Sequence, residues 1–309
     1  MLHQDAYWPR AAHWLAGEFS DRARYGELVV CGVPVNQSIS PGRCDLAPAA
    51  IRQALLRYST ADLDQGHDLL DLLVRDEGDL GSSSMSPESI LRPLADRMGE
   101  ALDSAAAIAM LGGDNGLTRA GVHGLAQARE KPLSALGLIT LDAHFDLRET
   151  THGLHNGNPI RALLDDGMPG ENIVQIGIQS FANSSEYARV GREAGITCVT
   201  MDQVRQDGVT ASVEQALKSL EAKVDSIYVD CDLDVMDRAF VPGTPGSRPG
   251  GFTPWEARQA CFLAGAHPRV RAIDFVEFDP TLDQHDLTSF AAGACFLSFA
   301  SGLLARLSR

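Results

Sequence analysis

The feature that most constrains this chain is the stretch Ala135-Leu-Gly-Leu-Ile-Thr-Leu-Asp-Ala-His-Phe-Asp-Leu-Arg148. Its apolar run has the length of a buried strand, and it delivers three potential metal ligands, Asp142, His144 and Asp146, at its carboxyl end. If the backbone stays extended for two more residues, period-two geometry turns all three side chains to one side. Ser226-Ile-Tyr-Val-Asp-Cys-Asp-Leu-Asp234 ends the same way, with Asp230 and Asp232 two apart. Two parallel strands built like this would aim five ligands at one cleft.

The rest of the chain supplies such a sheet. Apolar runs predict further strands over 28–32, 69–74, 105–111, 173–178, 196–200 and 270–278, with the two above over 135–141 and 226–229. Helical spacing predicts helices over 49–58, 87–103 with Ser86 as N-cap, 116–128, 159–166, 185–194, 210–222, from the Thr253 cap to about 264, and over 286–307. Between the first strand and its helix runs a loop over 33–46 that includes Pro34 and Pro41. Strands separated by helices imply a three-layer α/β/α fold with a mostly parallel, roughly eight-stranded sheet covered on both faces. No composition break marks a linker, so residues 1–309 are expected to form one domain, with 1–26 and their Trp8 and Trp14 as a peripheral segment packed on the body.

Ligands gather beyond the carboxyl ends of strands in such sheets. The polar clusters Asp114-Asn115, Asp142-His144-Asp146, Asp230-Asp232 and Glu277 are all expected there.

Composition removes several classes of partner. The formal charge of −15 argues against nucleic acid and anionic membranes. No window was expected to reach the length of a membrane span, and 1–30 has no signal-like apolar core. Six scattered cysteines, none in a Cys-x-x-Cys pair, fit small buried groups in a reducing compartment, hence a cytoplasmic protein.

Several carboxylates and one imidazole in a single pocket repel each other unless cations neutralise them. Oxygen-rich ligation with one imidazole favours manganese or magnesium, with zinc still open. Two such ions could share bridging carboxylates, for which Asp142 and Asp230 are the natural choice. A calcium loop of the EF-hand kind is rejected at 230–234, because the position that needs glycine is Val235. A phosphorylated-aspartate motif there would leave the first cluster unexplained.

Gly112-Gly-Asp-Asn115, Asp142-Ala-His-Phe-Asp146, Asp230-Cys-Asp-Leu-Asp234 with Pro242-Gly-Thr-Pro-Gly-Ser-Arg-Pro-Gly-Gly251, and Val276-Glu-Phe-Asp-Pro280 together resemble the arginase-type ureohydrolase family, most closely its formimidoylglutamases. The similarity runs from Cys31 to Asp283. It implies a hydrolase with two Mn2+ per subunit, acting on a small-molecule amidine or guanidine and commonly assembled as a homo-oligomeric trimer or hexamer. By the same resemblance Asn115, Asp142, Asp146 and Asp230 hold the first ion, Asp142, His144, Asp230 and Asp232 surround the second, and Asp234 supports them. Glu277 matches the acid that faces the substrate's cationic nitrogen; a plain ion pair with Arg271 is its alternative.

Two features bear on the substrate. Most of the family has His where this chain has Asn115, a weaker donor, so the first ion is expected to be held loosely. The loop His152-Gly-Leu-His-Asn-Gly-Asn-Pro159 offers His155, with His152 in reserve, as proton donor to the leaving nitrogen. Arg148, Asn156, Asn158 and Arg161 could bind substrate carboxylates or lie on the surface, and Gln179 stands where amine-binding relatives carry an acid. The expected reaction is manganese-dependent hydrolysis of N-formimidoyl-L-glutamate to L-glutamate and formamide. The alternatives are a guanidine hydrolase releasing urea, and a catalytically silent relative that binds or assembles.

Overall fold

The computed structural model describes residues 5, 7–39 and 42–309, so Pro41 and part of the expected N-terminal segment lie outside the described residues. Its centre is one sheet of eight strands: β1 (Tyr25–Val33), β2 (Leu72–Asp79), β3 (Ala107–Gly112), β4 (Leu136–Leu141), β5 (Ile173–Ile178), β6 (Thr197–Thr200), β7 (Ser226–Asp232) and β8 (Val270–Val276). They lie in the order β2-β1-β3-β8-β7-β4-β5-β6, and every ladder between them is parallel.

Period-two alternation divides the core in two. Leu28, Val30, Ile139, Leu141, Ile227 and Val229 face one side, packing with helices α8 (Val209–Glu221), α9 (Pro254–Ala266) and α10 (Leu287–Leu307). Val29, Cys31, Leu138 and Tyr228 face the other, against α3 (Leu91–Leu102), α4 (Leu117–Ala128) and α5 (Pro159–Asp165). Central strands buried on both faces are mostly apolar, as β3 and β4 are.

The structure moves several expected boundaries. Residues Leu69–Asp71 form a 3-10 turn capped by the Asp68 carboxylate, and β2 runs on to Asp79. Its charged second half is tolerated because β2 is an edge strand with water beside it. Helix α3 begins at Leu91 because Ser86 and its neighbours make a separate turn, in which Ser86 Oγ accepts from the Ser89 amide at 3.2 Å. A short helix, α7 (Met201–Asp207), was overlooked although Thr200 and Gln203 make a reciprocal capping box at its start.

Contrary to expectation, α10 has the length and apolarity of a membrane span, but 78% of its most apolar window is buried within the fold. A helix apolar all round is the normal way to fill a position between a sheet and neighbouring helices. Near the amino terminus, α1 (Ala11–Leu15) inserts Trp14 into the core against Phe296, with its indole N–H on the Leu72 carbonyl at 3.0 Å. Trp8 is half exposed.

Candidate active site

Sheet order brings the sequence motifs together. β3, β8, β7 and β4 are successive neighbours, and they end in Asp114-Asn115, Glu277, Asp230-Asp232 and Asp142-His144-Asp146 respectively. Cross-links tie these ends to one another. The Asn115 amide N–H donates to Glu277 Oε1 at 2.8 Å, and the Ala143 N–H donates to Asp234 Oδ1 at 3.2 Å.

The three candidate ligands after β4 are not placed by a continuing strand, which was the expectation. β4 stops at Leu141, where Asp142 Oδ1 accepts from the His144 amide at 2.6 Å and turns the chain. Asp232 does the same at the end of β7, accepting from the Asp234 amide at 2.8 Å. Asp146 and Glu277 both sit at left-handed backbone, φ 51° and 62°. Non-glycine residues adopt that conformation at a cost, one met where a fold must aim a side chain. Gly246 completes the wall: a Cβ there would lie 2.0 Å from Asp234 Oδ2, so any larger residue would displace that carboxylate.

These acids are buried with few counter-charges. Burial, reinforced by Asp234, lifts Asp142 to about 7. Burial likewise holds Asp146, Asp230 and Asp232 well above the usual carboxylate range, and lifts Glu277 to about 8 with help from the charge of Asp114. His144 is the exception, raised to about 12 by Asp234, whose Oδ2 lies 2.8 Å from Nδ1. Burial alone would raise Asp234, but the facing imidazole lowers it.

The donor set fits divalent cations. Asp142 Oδ2 and both carboxylate oxygens of Asp230 are buried without an ordinary hydrogen-bond donor among the described residues, and the side chain facing Asp230 is another acid, Asp274. Unpaired buried carboxylate oxygens are costly, and a cation is what satisfies them. One ligand atom from each of Asp142, His144 and Asp234 falls within 4.8 Å of the others, so Asp234 stands closer to a cation position than a merely supporting residue.

Above the acids lies a cleft of about 170 Å3, lined by His144, Asp146, Asp232, Asp234 and Glu277 below and by Arg148, Asn156, Asn183, Tyr187 and Arg248 around the mouth. Of the expected substrate residues, Arg148 and Asn156 line it, and Asn156 Nδ2 donates to Glu277 Oε1 at 3.0 Å. Asn158 does not. It is fully buried and braces its own loop, donating to the Glu149 and Gly153 carbonyls. Gln179 lines a neighbouring cavity instead.

His155 is also turned into its loop: Nδ1 accepts from the Gly157 amide at 3.0 Å, and Nε2 lies 3.3 Å from Asn158 Nδ2. Burial and the charge of Arg148 lower its pKa. His152 is exposed, and Arg161 pairs with Asp165. Arg271 is bonded to the Ala105 carbonyl, which removes it as the partner of Glu277.

Sequence reasoning missed Arg248, Asn183 and Tyr187, which reach the cleft from loops and a helix start, and Asp274, the ladder partner of Asp230. Asp274 carried a signal that could have found it, a lone acid in a buried strand whose only other charged residue is Arg271 near its start. It accepts from Tyr228 Oη at 2.6 Å and Thr118 Oγ1 at 3.2 Å.

Comparison with known proteins agrees with this architecture. A formimidoylglutamase of Halalkalibacterium halodurans is 33% identical over 293 residues, 91% of this chain and 89% of that one. The crystal structure of formimidoylglutamase from Bacillus subtilis superposes with a TM-score of 0.88 at 30% identity, covering 98% of this chain and 95% of the other. Trypanosoma cruzi formiminoglutamase with Mn2+ gives a TM-score of 0.84 at 24% identity over 97% and 99%, a likeness of fold. The Arginase family profile matches residues 26–301, which leaves one conclusion from motifs, sheet order and similarity alike: the chain belongs to the Arginase family.

Proposed function

We propose that the protein hydrolyses the amidine C–N bond of N-formimidoyl-L-glutamate to L-glutamate and formamide, using two Mn2+. The observation that carries the reading is a cleft with acids at its floor and two guanidinium groups, Arg148 and Arg248, at its mouth. In a chain of net charge −15, neither arginine is in an ion pair among the described residues. The substrate has the complementary pattern, a cationic amidinium at one end and two carboxylates at the other. Similarity to two formimidoylglutamases at 30% identity or more supports the same choice.

Asn115, Asp142, Asp146 and Asp230 would hold the first ion and Asp142, His144, Asp230 and Asp232 the second, with Asp234, within 4.8 Å of Asp142 and His144, available to the second as well. When bound, such a pair would supply a water activated as a nucleophile near neutral pH. Glu277 pairs with the amidinium; its carboxylate is fixed by the Asn115 amide and the Asn156 side chain, so it is aimed before substrate arrives. Arg148 and Arg248 clamp the two carboxylates, with Asn156, Asn183 and Tyr187 as neutral donors around them. The stem of Arg148 packs against Gly157, where a Cβ would come within 2.8 Å of Arg148 Cδ. With His155 engaged in its own loop, the proton for the departing nitrogen is assigned to solvent water.

All six cysteines are free thiols, in keeping with a cytoplasmic setting, and a homo-oligomer, trimer or hexamer, is part of the proposal. The test is a substrate panel on Mn2+-loaded protein with formamide, urea and ammonia measured separately. Formamide from the formimidoyl compound is the expected product; faster release of urea from any guanidine overturns the assignment.

A further inference from the structure

Asn115 poses a problem of orientation that its surroundings solve. An amide side chain offers an acceptor at one end and donors at the other, and only the oxygen can ligate a cation. In the structure the donor end faces the acids, with Nδ2 2.7 Å from Asp146 Oδ2, while Oδ1 faces away, 2.6 Å from Thr118 Oγ1. Ligation therefore needs a half-turn of the amide.

Thr118, fully buried in the first turn of α4, decides whether that half-turn is tolerated. Its hydroxyl has one proton, yet it faces two acceptors, Asn115 Oδ1 at 2.6 Å and Asp274 Oδ2 at 3.2 Å. It can donate to only one of the two, and the other then meets an oxygen lone pair. After the half-turn, Asn115 Nδ2 donates to Thr118 Oγ1, and the freed hydroxyl proton donates to Asp274, which also accepts from the Tyr228 hydroxyl and the Cys231 amide and faces the Asp230 carboxyl. Both contacts of the Thr118 hydroxyl are then donor to acceptor. On the opposite side the amide oxygen would face the Asp146 carboxylate, which is repulsive unless a cation stands between them.

We infer that Thr118 is a positioning residue, a hydroxyl relay between Asn115 and Asp274 that holds the Asn115 oxygen toward the first metal position. It lets an amide serve at a place where the family more often has an imidazole. The inference rests on the two-metal reading of the site.

The test is a Mn2+ titration of the full chain, with free Mn2+ read by electron paramagnetic resonance, on wild type, Thr118→Val, Thr118→Ser, Asn115→His and the double variant Asn115→His/Thr118→Val. Circular dichroism melts identify any variant that fails to fold. Thr118→Val keeps the shape and removes the relay, so the weaker of the two sites should lose about tenfold in affinity while the tighter one is unchanged. Thr118→Ser should bind as wild type, and the double variant as Asn115→His, because an imidazole does not need the relay.

Wild-type affinities in folded Thr118→Val overturn the inference. So does an equal loss in the double variant, which would mark a structural role, and if Thr118→Val does not fold, failure of Thr118→Ser to bind as wild type does the same. Wild-type protein that takes up fewer than two ions overturns the two-metal reading and this inference with it, a result separate from the others.

Discussion

Two groups of acids in this molecule sit within the same fold and behave in opposite ways. Asp166, after α5, meets Arg119 Nε at 2.6 Å and His123 Nε2 at 2.8 Å, both from the first turns of α4. Although partial burial would raise it, hydrogen bonds from Arg119 and His123 bring it below the usual carboxylate value. Asp142, Asp230 and Asp232, at the strand ends, are deeper, lie among other acids, and are raised. An acid that serves stability comes with its own cation. A buried group of acids whose oxygens have no partner costs stability, and is retained where an external cation is to be bound.

The largest test of this contrast is Asp230→Asn. Activity should fall by about a thousandfold or more, since both proposed metal positions use this carboxylate. The chelator-treated variant should at the same time melt higher than chelator-treated wild type, because one buried charge is gone. A lower melting point would show that Asp230 is held by interactions like those of Asp166, and would break the comparison.

Metal and pH should act together on wild type. Saturating Mn2+, at about 100 times its dissociation constant, should stabilise the fold by roughly 2.7 kcal/mol per site. Protons compete for the same oxygens, so with Asp142 lifted to about 7 that gain should shrink as pH falls from 8 to 6. Melting curves with Mn2+ and with chelator at the two pH values give the difference directly; a gain that grows toward pH 6 contradicts the burial of these acids.

A smaller effect is expected at the mouth. Arg248→Ala should raise KM about tenfold for the formimidoyl substrate with less change in kcat, and leave Mn2+ stoichiometry at the wild-type value. An equal loss with a substrate lacking one carboxylate would show that Arg248 does not contact that group.

The least effect belongs to the paired acid. Asp166→Asn should cost less than about 1 kcal/mol, since the pair is partly exposed and screened, with kcat unchanged. Its folded pKa is depressed, so the contribution is present above the unfolded value and is lost as pH falls through the folded one. The difference in melting temperature between wild type and variant should therefore hold from pH 7 downward and shrink only below about pH 4.

How much of this was legible in the sequence depends on whether a residue's role is local. Asp142, His144 and Asp146 are neighbours along the chain after an apolar run, so the strand and the acids at its end could be read together. Asp230 and Asp232 were placed at a strand end for the same reason. Asn158 shows the limit: its residue type fits a carboxylate donor, yet its side chain closes a loop. His155 shows it too, since a loop histidine can face the substrate or its own backbone, and the local turn decided for the backbone.

The sequence by itself determined the parallel α/β fold, the acid-tipped strands and the family, because burial on both sheet faces and cation binding each demand particular residue types at short spacing. Tertiary structure alone decided that β3, β8, β7 and β4 are neighbours, that Arg248, Asn183 and Tyr187 close the mouth, and that Thr118 stands between Asn115 and Asp274. Apart from the pair Asn115 and Thr118, three positions apart, those contacts join residues tens to more than a hundred positions apart. Their distances are set by how helices and strands pack, which no local pattern encodes.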